Sequence, residues 1–185
     1  MSDPRRLPRV VMADDHPCFR DGLSRLLRRH GIAIVAEVPN AGAAIRAVEQ
    51  TAAEVVIMDL SMPGLPGLEA TRRIRAEHPH TRVMMLTVSA QPQDVAAAIL
   101  AGAHGYLLKD DPPGAIVAGV RRTAAGDFAL SPRVACYLLD LMRDGHPEHS
   151  QLSRADRDML IALANGRLAR GTGAIADDRS VAGAH

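Results

Sequence analysis

The sequence predicts an α/β fold, a doubly wound parallel sheet with helices on both faces, followed by a smaller helical appendage. Three observations carry that expectation. Short apolar runs alternate with longer amphipathic stretches, and the alternation repeats five times within the first 125 residues. The runs are β-branched or apolar throughout, as in VVIM at residues 55–58, which suits central parallel strands buried on both faces. Aromatic residues make up only 2% of the 185-residue chain and Trp is absent, so the core must be assembled from Leu, Val, Ile, Ala and Met, as in helix-covered sheets.

Taken in order, the first unit is a strand over residues 9–13 and a helix over 17–30, in which Leu23, Leu26, Leu27 and His30 recur at helical spacing. The second pairs 33–37 with 41–50, and the third pairs 54–58 with 68–77. In the fourth, a strand over 83–86 precedes a helix over 92–101, and Val95, Ala98, Ile99 and Gly102 share one side. The Met84-Met85 pair in that strand reads as core filling. The fifth unit joins 105–108 to 112–124. Each strand-helix-strand passage is expected to be a right-handed crossover.

Beyond Gly126 the pattern changes to a linker, residues 126–150, with its own helix in which Val134, Tyr137, Leu138 and Leu141 share a face and which ends at Gly145-His146-Pro147. A further helix is expected from residues 152–156, where Ser153 can cap and Asp156 lies near the positive end of the helix dipole, to a stop at Asn165-Gly166. The expected organisation is therefore a domain over 1–125, the linker, and a C-terminal segment over 151–185.

The chain carries 22 basic and 21 acidic residues, a formal net charge of +1, so no global electrostatic argument favours a nucleic-acid or membrane partner. Any DNA contact has to be local. The two cysteines, Cys18 and Cys136, are too few and too far apart for a disulfide scaffold or a zinc knuckle, and a reducing compartment suits them. No apolar stretch has signal-peptide or membrane-span length, and a cytoplasmic location is expected.

In an open parallel sheet the ligand site lies beyond the carboxyl ends of the strands, where strand order reverses. Asp14 and Asp15 follow the first strand, Asp59 the third, Thr87 the fourth and Lys109 the fifth. Three carboxylates, a hydroxyl and an amine thus gather at one edge although they span about 95 residues of sequence. Clustered carboxylates suit a hard cation such as Mg²⁺. A carboxylate can also attack a phosphoryl group to give an acyl phosphate, with a nearby amine and hydroxyl taking the remaining phosphoryl oxygens. Taken singly, each residue has a plainer reading, the acid pair as a turn or cap and Lys109 as a solvated side chain. His16 reads as a polar residue ahead of Pro17 at a helix start and is left out of the site.

ADDHPCFRDGL at residues 13–23, DLSMPGLPGLEA at 59–70, LTVS at 86–89 and GAHGYLLKDD at 102–111 resemble, in order, the signature blocks of response-regulator receiver domains. Lys109-Asp110 is similar to the NarL/FixJ subgroup. The resemblance implies a flavodoxin-like receiver with a five-stranded parallel sheet of order 2-1-3-4-5. It also implies that Asp59 is the phosphoacceptor and that Asp14, Asp15, Asp59 and the backbone carbonyl of Ser61 hold Mg²⁺. Thr87 and Lys109 would bind the phosphoryl group, and Tyr106 would be the aromatic switch. The implied donor is a phosphohistidine on a sensor histidine kinase, with homodimerisation on phosphorylation as a family-level expectation. The implied catalysis is limited to the chain's own phosphorylation and dephosphorylation. A metal-dependent phosphatase on the same sheet would need a second acid two residues after the nucleophile, and Asp59-Leu60-Ser61 has none.

LSRADRDMLIALANGR at residues 152–167 resembles the opening helix of the helix-turn-helix output domain of that subgroup. Only nineteen residues follow Gly166, with Gly171, Gly173 and Gly183 disfavouring helix. Residues 151–185 hold five Arg and four Asp, little surplus charge for phosphate contacts. The expectation is a truncated or degenerate remnant, DNA binding weak or absent, and an output impaired or lost. The alternative is a working phosphorylation-dependent transcription regulator.

Overall fold

The computed structural model describes residues 7–136. Five βα units run in order: β1 (Arg9–Ala13) and α1 (Pro17–Arg29), β2 (Ala33–Val38) and α2 (Ala41–Thr51), β3 (Val55–Met58) and α3 (Gly67–Glu77), β4 (Arg82–Thr87) and α4 (Pro92–Leu100), β5 (Gly105–Leu108) and α5 (Pro113–Ala125). A two-residue strand, β6 (Ala129–Leu130), follows. The sheet is parallel with order β2-β1-β3-β4-β5-β6.

The predicted order 2-1-3-4-5 is therefore present, and the expected count of five strands is corrected to six. The added strand pairs through one close approach. Gly105 lies opposite Ala129, and a Cβ at position 105 would stand 3.1 Å from both the Ala129 Cβ and the Ala129 carbonyl oxygen, and 2.9 Å from Met84 Cγ. Only a residue without a side chain lets the two backbones meet there.

Alternation along the strands sorts the core into two layers. Val10, Met12, Val55, Ile57, Met84, Leu86 and Leu107 face α1 and α5, where Leu23, Leu27, Ile116, Val117 and Val120 meet them. Val11, Ala13, Val56, Met58, Val83, Met85, Tyr106 and Leu108 face the opposite layer, packed with Val48, Ile74, Val95 and Ile99. Met84 and Met85, both fully buried, thus fill opposite layers.

Local signals explain the helix ends. Pro17 presets the first turn of α1, and the Asn40 side chain caps α2 by accepting from Ala43 N at 2.9 Å. Gly126, at φ 96°, closes α5 in the left-handed conformation, its N–H returning to Arg122 and Thr123 carbonyls. The helix of the first unit stops one residue earlier than expected, and His30 is an exposed C-cap rather than part of the apolar stripe.

The start of the expected linker is built into this domain. Ser131 is fully buried, residues 132–136 are helical, and Val134 sits in the same layer as Tyr106. Tyr137, Leu138 and Leu141, like the helix expected from residue 152, lie outside the described residues. Among the described residues, no helix is long and apolar enough to cross a membrane.

Candidate functional site

Strand order reverses between β2 and β3, on either side of β1, so the crevice opens where β1 and β3 end. Asp14 follows β1 directly and donates its N–H to Val38 O at 3.1 Å; Asp59 follows β3 and donates its N–H to Ala13 O at 3.0 Å. The backbone ladder therefore delivers both carboxylates to one point, and they are 2% and 3% exposed. Close packing fixes the loop after Asp59 as well. A Cβ on Gly67 would lie 2.3 Å from the Asp59 carbonyl oxygen, so α3 can begin beside the acid only with glycine there.

Lys109, beyond β5, donates its N–H to Thr87 O at 2.8 Å. Its Nζ reaches Asp14 Oδ2 and Asp59 Oδ2, each at 2.7 Å, and stands 4.9 Å from the centre of the Phe19 ring. Burial works against the charge on this amine. The hydrogen bonds that Lys109 donates to Asp14 and Asp59, together with their negative charge, outweigh burial and hold its pKa above the ordinary lysine value. Such charge-assisted bonds are the strong kind, and they hold two buried like charges together.

The rest of the acid pocket comes from the loop after β1. Asp14 Oδ1 accepts the His16 N–H at 2.8 Å, and Arg20 donates to the Asp14 carbonyl. Asp15 is partly exposed, but its Oδ1 is buried without a hydrogen bond, although His16 Nδ1 lies 2.7 Å away. Oxygen or nitrogen atoms of Asp14, Asp15, His16 and Asp59 all fall within 4.8 Å of one another. Three carboxylates, one with an unsatisfied buried oxygen, form the oxygen-rich donor set that a hard divalent cation takes. The residues thus fit Mg²⁺ chemically. Ser61 is exposed, and its N–H approaches Asp59 Oδ1 at 3.4 Å.

The two expected switch residues lie at the end of β4 and in β5. Thr87 is fully buried at the end of β4, where its Oγ1 accepts the Ser89 N–H at 3.3 Å. Tyr106 is buried in β5 and donates its hydroxyl to Ser89 O at 2.9 Å; Ser89 in turn donates to Asp94. Burial first, and then the negative charge of Asp94, raises the Tyr106 pKa above the ordinary phenol value, so the ring remains a neutral donor. Thr87 and Tyr106 thus share one hydrogen-bond partner, Ser89.

Sequence reasoning missed three contributors. His16 was set aside, and its ring nitrogen lies inside the acid cluster; the polar residue between an acid pair and Pro17 was the available signal. Phe19, one turn into α1, underlies the Lys109 amine. Asp111, 4% exposed, was indistinguishable in sequence from a solvated acid of the Lys109-Asp110-Asp111 run.

Known proteins resemble this chain in sequence and fold. The family model described as response regulator receiver domain matches residues 10–121. A nitrate/nitrite response regulator protein homolog of Haemophilus influenzae is 35% identical over 159 residues, 85% of this chain and 76% of that protein. The nitrate/nitrite response regulator protein NarP of Escherichia coli is 36% identical over 160 residues, 85% of this chain and 74% of that protein. The crystal structure of a LuxR-family two-component response regulator from Aurantimonas sp. SI85-9A1 superposes with a TM-score of 0.71 at 36% identity, covering 74% of this chain and 99% of that one. With its parallel sheet, its acid pocket and these relatives, the chain belongs to the two-component response regulators and carries a receiver domain of the NarL/LuxR type.

Proposed function

We propose that Asp59 accepts a phosphoryl group from the phosphohistidine of a sensor histidine kinase, and that the resulting acyl phosphate switches the conformation of this cytoplasmic receiver. The observation that carries the reading is the Lys109 ammonium held at 2.7 Å from both Asp14 and Asp59 at the topological switch point. An Asp59 oxygen attacks phosphorus, a P–O bond forms as the P–N bond to the donor imidazole breaks, and the imidazole leaves with that electron pair. Asp14, Asp15, Asp59 and the backbone carbonyl of Ser61 would hold Mg²⁺, which when bound would neutralise phosphoryl charge. Lys109 exchanges its bond to Asp59 for one to a phosphoryl oxygen, and Thr87 donates its hydroxyl to another. Drawing Thr87 toward the phosphate disturbs Ser89, the partner it shares with Tyr106, and so biases the region around α4 and β5. The chain catalyses only its own phosphorylation and dephosphorylation.

The near-neutral, glycine-bearing composition of residues 151–185 supports an output through protein contacts, homodimerisation included, with little DNA readout from this segment. The second reading is a phosphorylation-dependent DNA-binding regulator, favoured by the likeness of residues 152–167 to an output-domain helix. One experiment tests both. The purified chain and its Asp59→Asn variant are treated with acetyl phosphate and Mg²⁺, weighed by intact-protein mass spectrometry, and used to select fragments from random duplex DNA. Phosphate uptake by wild type alone supports the phosphoacceptor reading, and equal uptake by the variant removes it. Enrichment of a distinct sequence by the phosphorylated wild type establishes the DNA-binding reading.

A further inference from the structure

Three consecutive residues after β5 hold three different parts of the molecule. Lys109 reaches into the acid pocket, Asp110 pairs with Arg133, and Asp111 turns inward. Each carboxyl oxygen of Asp111 meets one donor: Oδ2 accepts the Leu108 N–H at 2.9 Å, and Oδ1 accepts the Ser131 hydroxyl at 2.8 Å. Both residues are buried, so neither bond competes with water, and losing one donor strands a buried acceptor. Ser131 is fastened a second time, its N–H donating to Tyr106 O at 2.8 Å. Its carbonyl accepts the Ala135 N–H at 2.9 Å and so begins the helical residues 132–136, whose Val134 is buried in the layer of Tyr106.

We propose that Asp111 is a positioning residue, a clasp that fastens the Lys109 loop to Ser131 so that displacement of Lys109 is passed to the chain beyond β6. The trigger rests on the phosphoacceptor reading; the clasp itself rests on the geometry. Lys109 is two residues from Asp111 and one from Leu108, whose N–H the clasp holds. When the amine moves from Asp59 to a new anion, the short loop carries Asp111 with it, and Ser131 follows because, among the described residues, its hydroxyl donates to Asp111. The Asp110–Arg133 pair, exposed at the surface, is the weaker second tether. Packed interfaces of this kind respond as units rather than by continuous deformation.

The test uses the full-length chain in two arms. In the first, without phosphate, hydrogen exchange is followed in wild type, Ser131→Ala, Asp111→Asn and Asp111→Ala. Ser131→Ala is expected to speed exchange about fivefold in residues 106–111 as well as in 131–136, although the substituted side chain belongs only to the latter. Asp111→Asn keeps both bonds, its amide oxygen accepting from Leu108 and its NH₂ donating to Ser131 Oγ, and is expected to stay close to wild type while Asp111→Ala does not. Acceleration by Ser131→Ala confined to 131–136 overturns the clasp. So does an Asn variant that exchanges as fast as the Ala variant.

In the second arm, a Cys18→Ser background is labelled at the exposed Cys136 with an environment-sensitive fluorophore, and acetyl phosphate with Mg²⁺ is added. Ser131→Ala is expected to take up phosphate at the wild-type rate while the label response falls about threefold. An undiminished response overturns the clasp. No phosphate uptake by wild type defeats the phosphoacceptor reading instead, and the exchange arm decides the clasp independently.

Discussion

The two ends of the sheet use polar residues in different ways. At the carboxyl end, Asp14, Asp59 and Lys109 are bonded mainly to one another, charge against charge, with an oxygen of Asp15 left unsatisfied. At the amino end, polar side chains are spent on backbone. Arg75 donates to the carbonyls of Pro79 and Thr81, Arg82 to that of Ala124, and the Thr81 hydroxyl to that of Ala53. The second end thus uses its side-chain donors to hold turns together, although His78 Nε2 and His104 Nδ1 there lack a hydrogen bond. The first sets charged groups against one another, the donor set that the proposed cation and phosphoryl group would use. Buried polarity marks a site only when its partners are other functional groups rather than the local backbone.

That contrast can be broken at either end, and the largest effect is expected at the first. Asp59→Asn keeps the shape but removes the nucleophile, and phosphate uptake from acetyl phosphate is expected to vanish; intact-protein mass measures it. Gly67→Ala should follow, because its new Cβ collides with backbone, the Asp59 carbonyl at 2.3 Å, rather than with a flexible side chain. A loss of about 3 kcal/mol in urea unfolding is expected, accompanied by slower phosphorylation.

At the amino end the expected effects are smaller and leave phosphorylation alone. His104 is neutral at physiological pH because burial, and then the charges of Arg75 and Arg82, lower its pKa from 6.5 to about 4. The unfolded chain therefore takes up the proton first as the medium is acidified. Stability contributed by the neutral ring is fully present above about pH 6.5 and is lost as pH falls toward about 4, an effect on the order of 2 kcal/mol after allowance for partial solvent screening. Denaturation midpoints of wild type and His104→Gln across that range check it, the variant losing the slope. Gly102→Ala forces a side chain into φ 91° and within 3.1 Å of Arg75 Cγ, with an expected cost of about 1 kcal/mol in the same assay.

The sequence made the strands and the acid pocket legible for a common reason. Each βα unit advertises itself through local periodicity, and the chemistry lies on the residue or two just after each strand, where a topological rule places it without knowledge of side-chain contacts. Asp14, Asp59 and Lys109 needed nothing more. What escaped depends on contacts between distant positions. The strand β6 exists because Gly105 lets Ala129 approach, and nothing in the local string of residues 127–131 announces a partner 24 residues earlier. Asp111 is paired with Ser131 across 20 residues, and its burial, which separates it from the exposed Asp110, is not written in the sequence. His16 escaped differently: the rule that explained it, a polar residue before a helix-opening proline, is also true of it.

The brevity of β6 has a consequence for how the molecule behaves in company. A parallel sheet of this length would otherwise end on β5, a run of Gly-Tyr-Leu-Leu whose free N–H and C=O groups could template another chain. β6 pairs with Gly105 and Tyr106 and then stops at Ser131-Pro132, where the proline offers no N–H and the chain turns into helix. Among the described residues, the edge strand is two residues long, a short stretch for a foreign strand to pair with, and the Leu108 N–H beyond it is taken by Asp111. A segment that adds almost nothing to the sheet by area thereby covers the first half of β5.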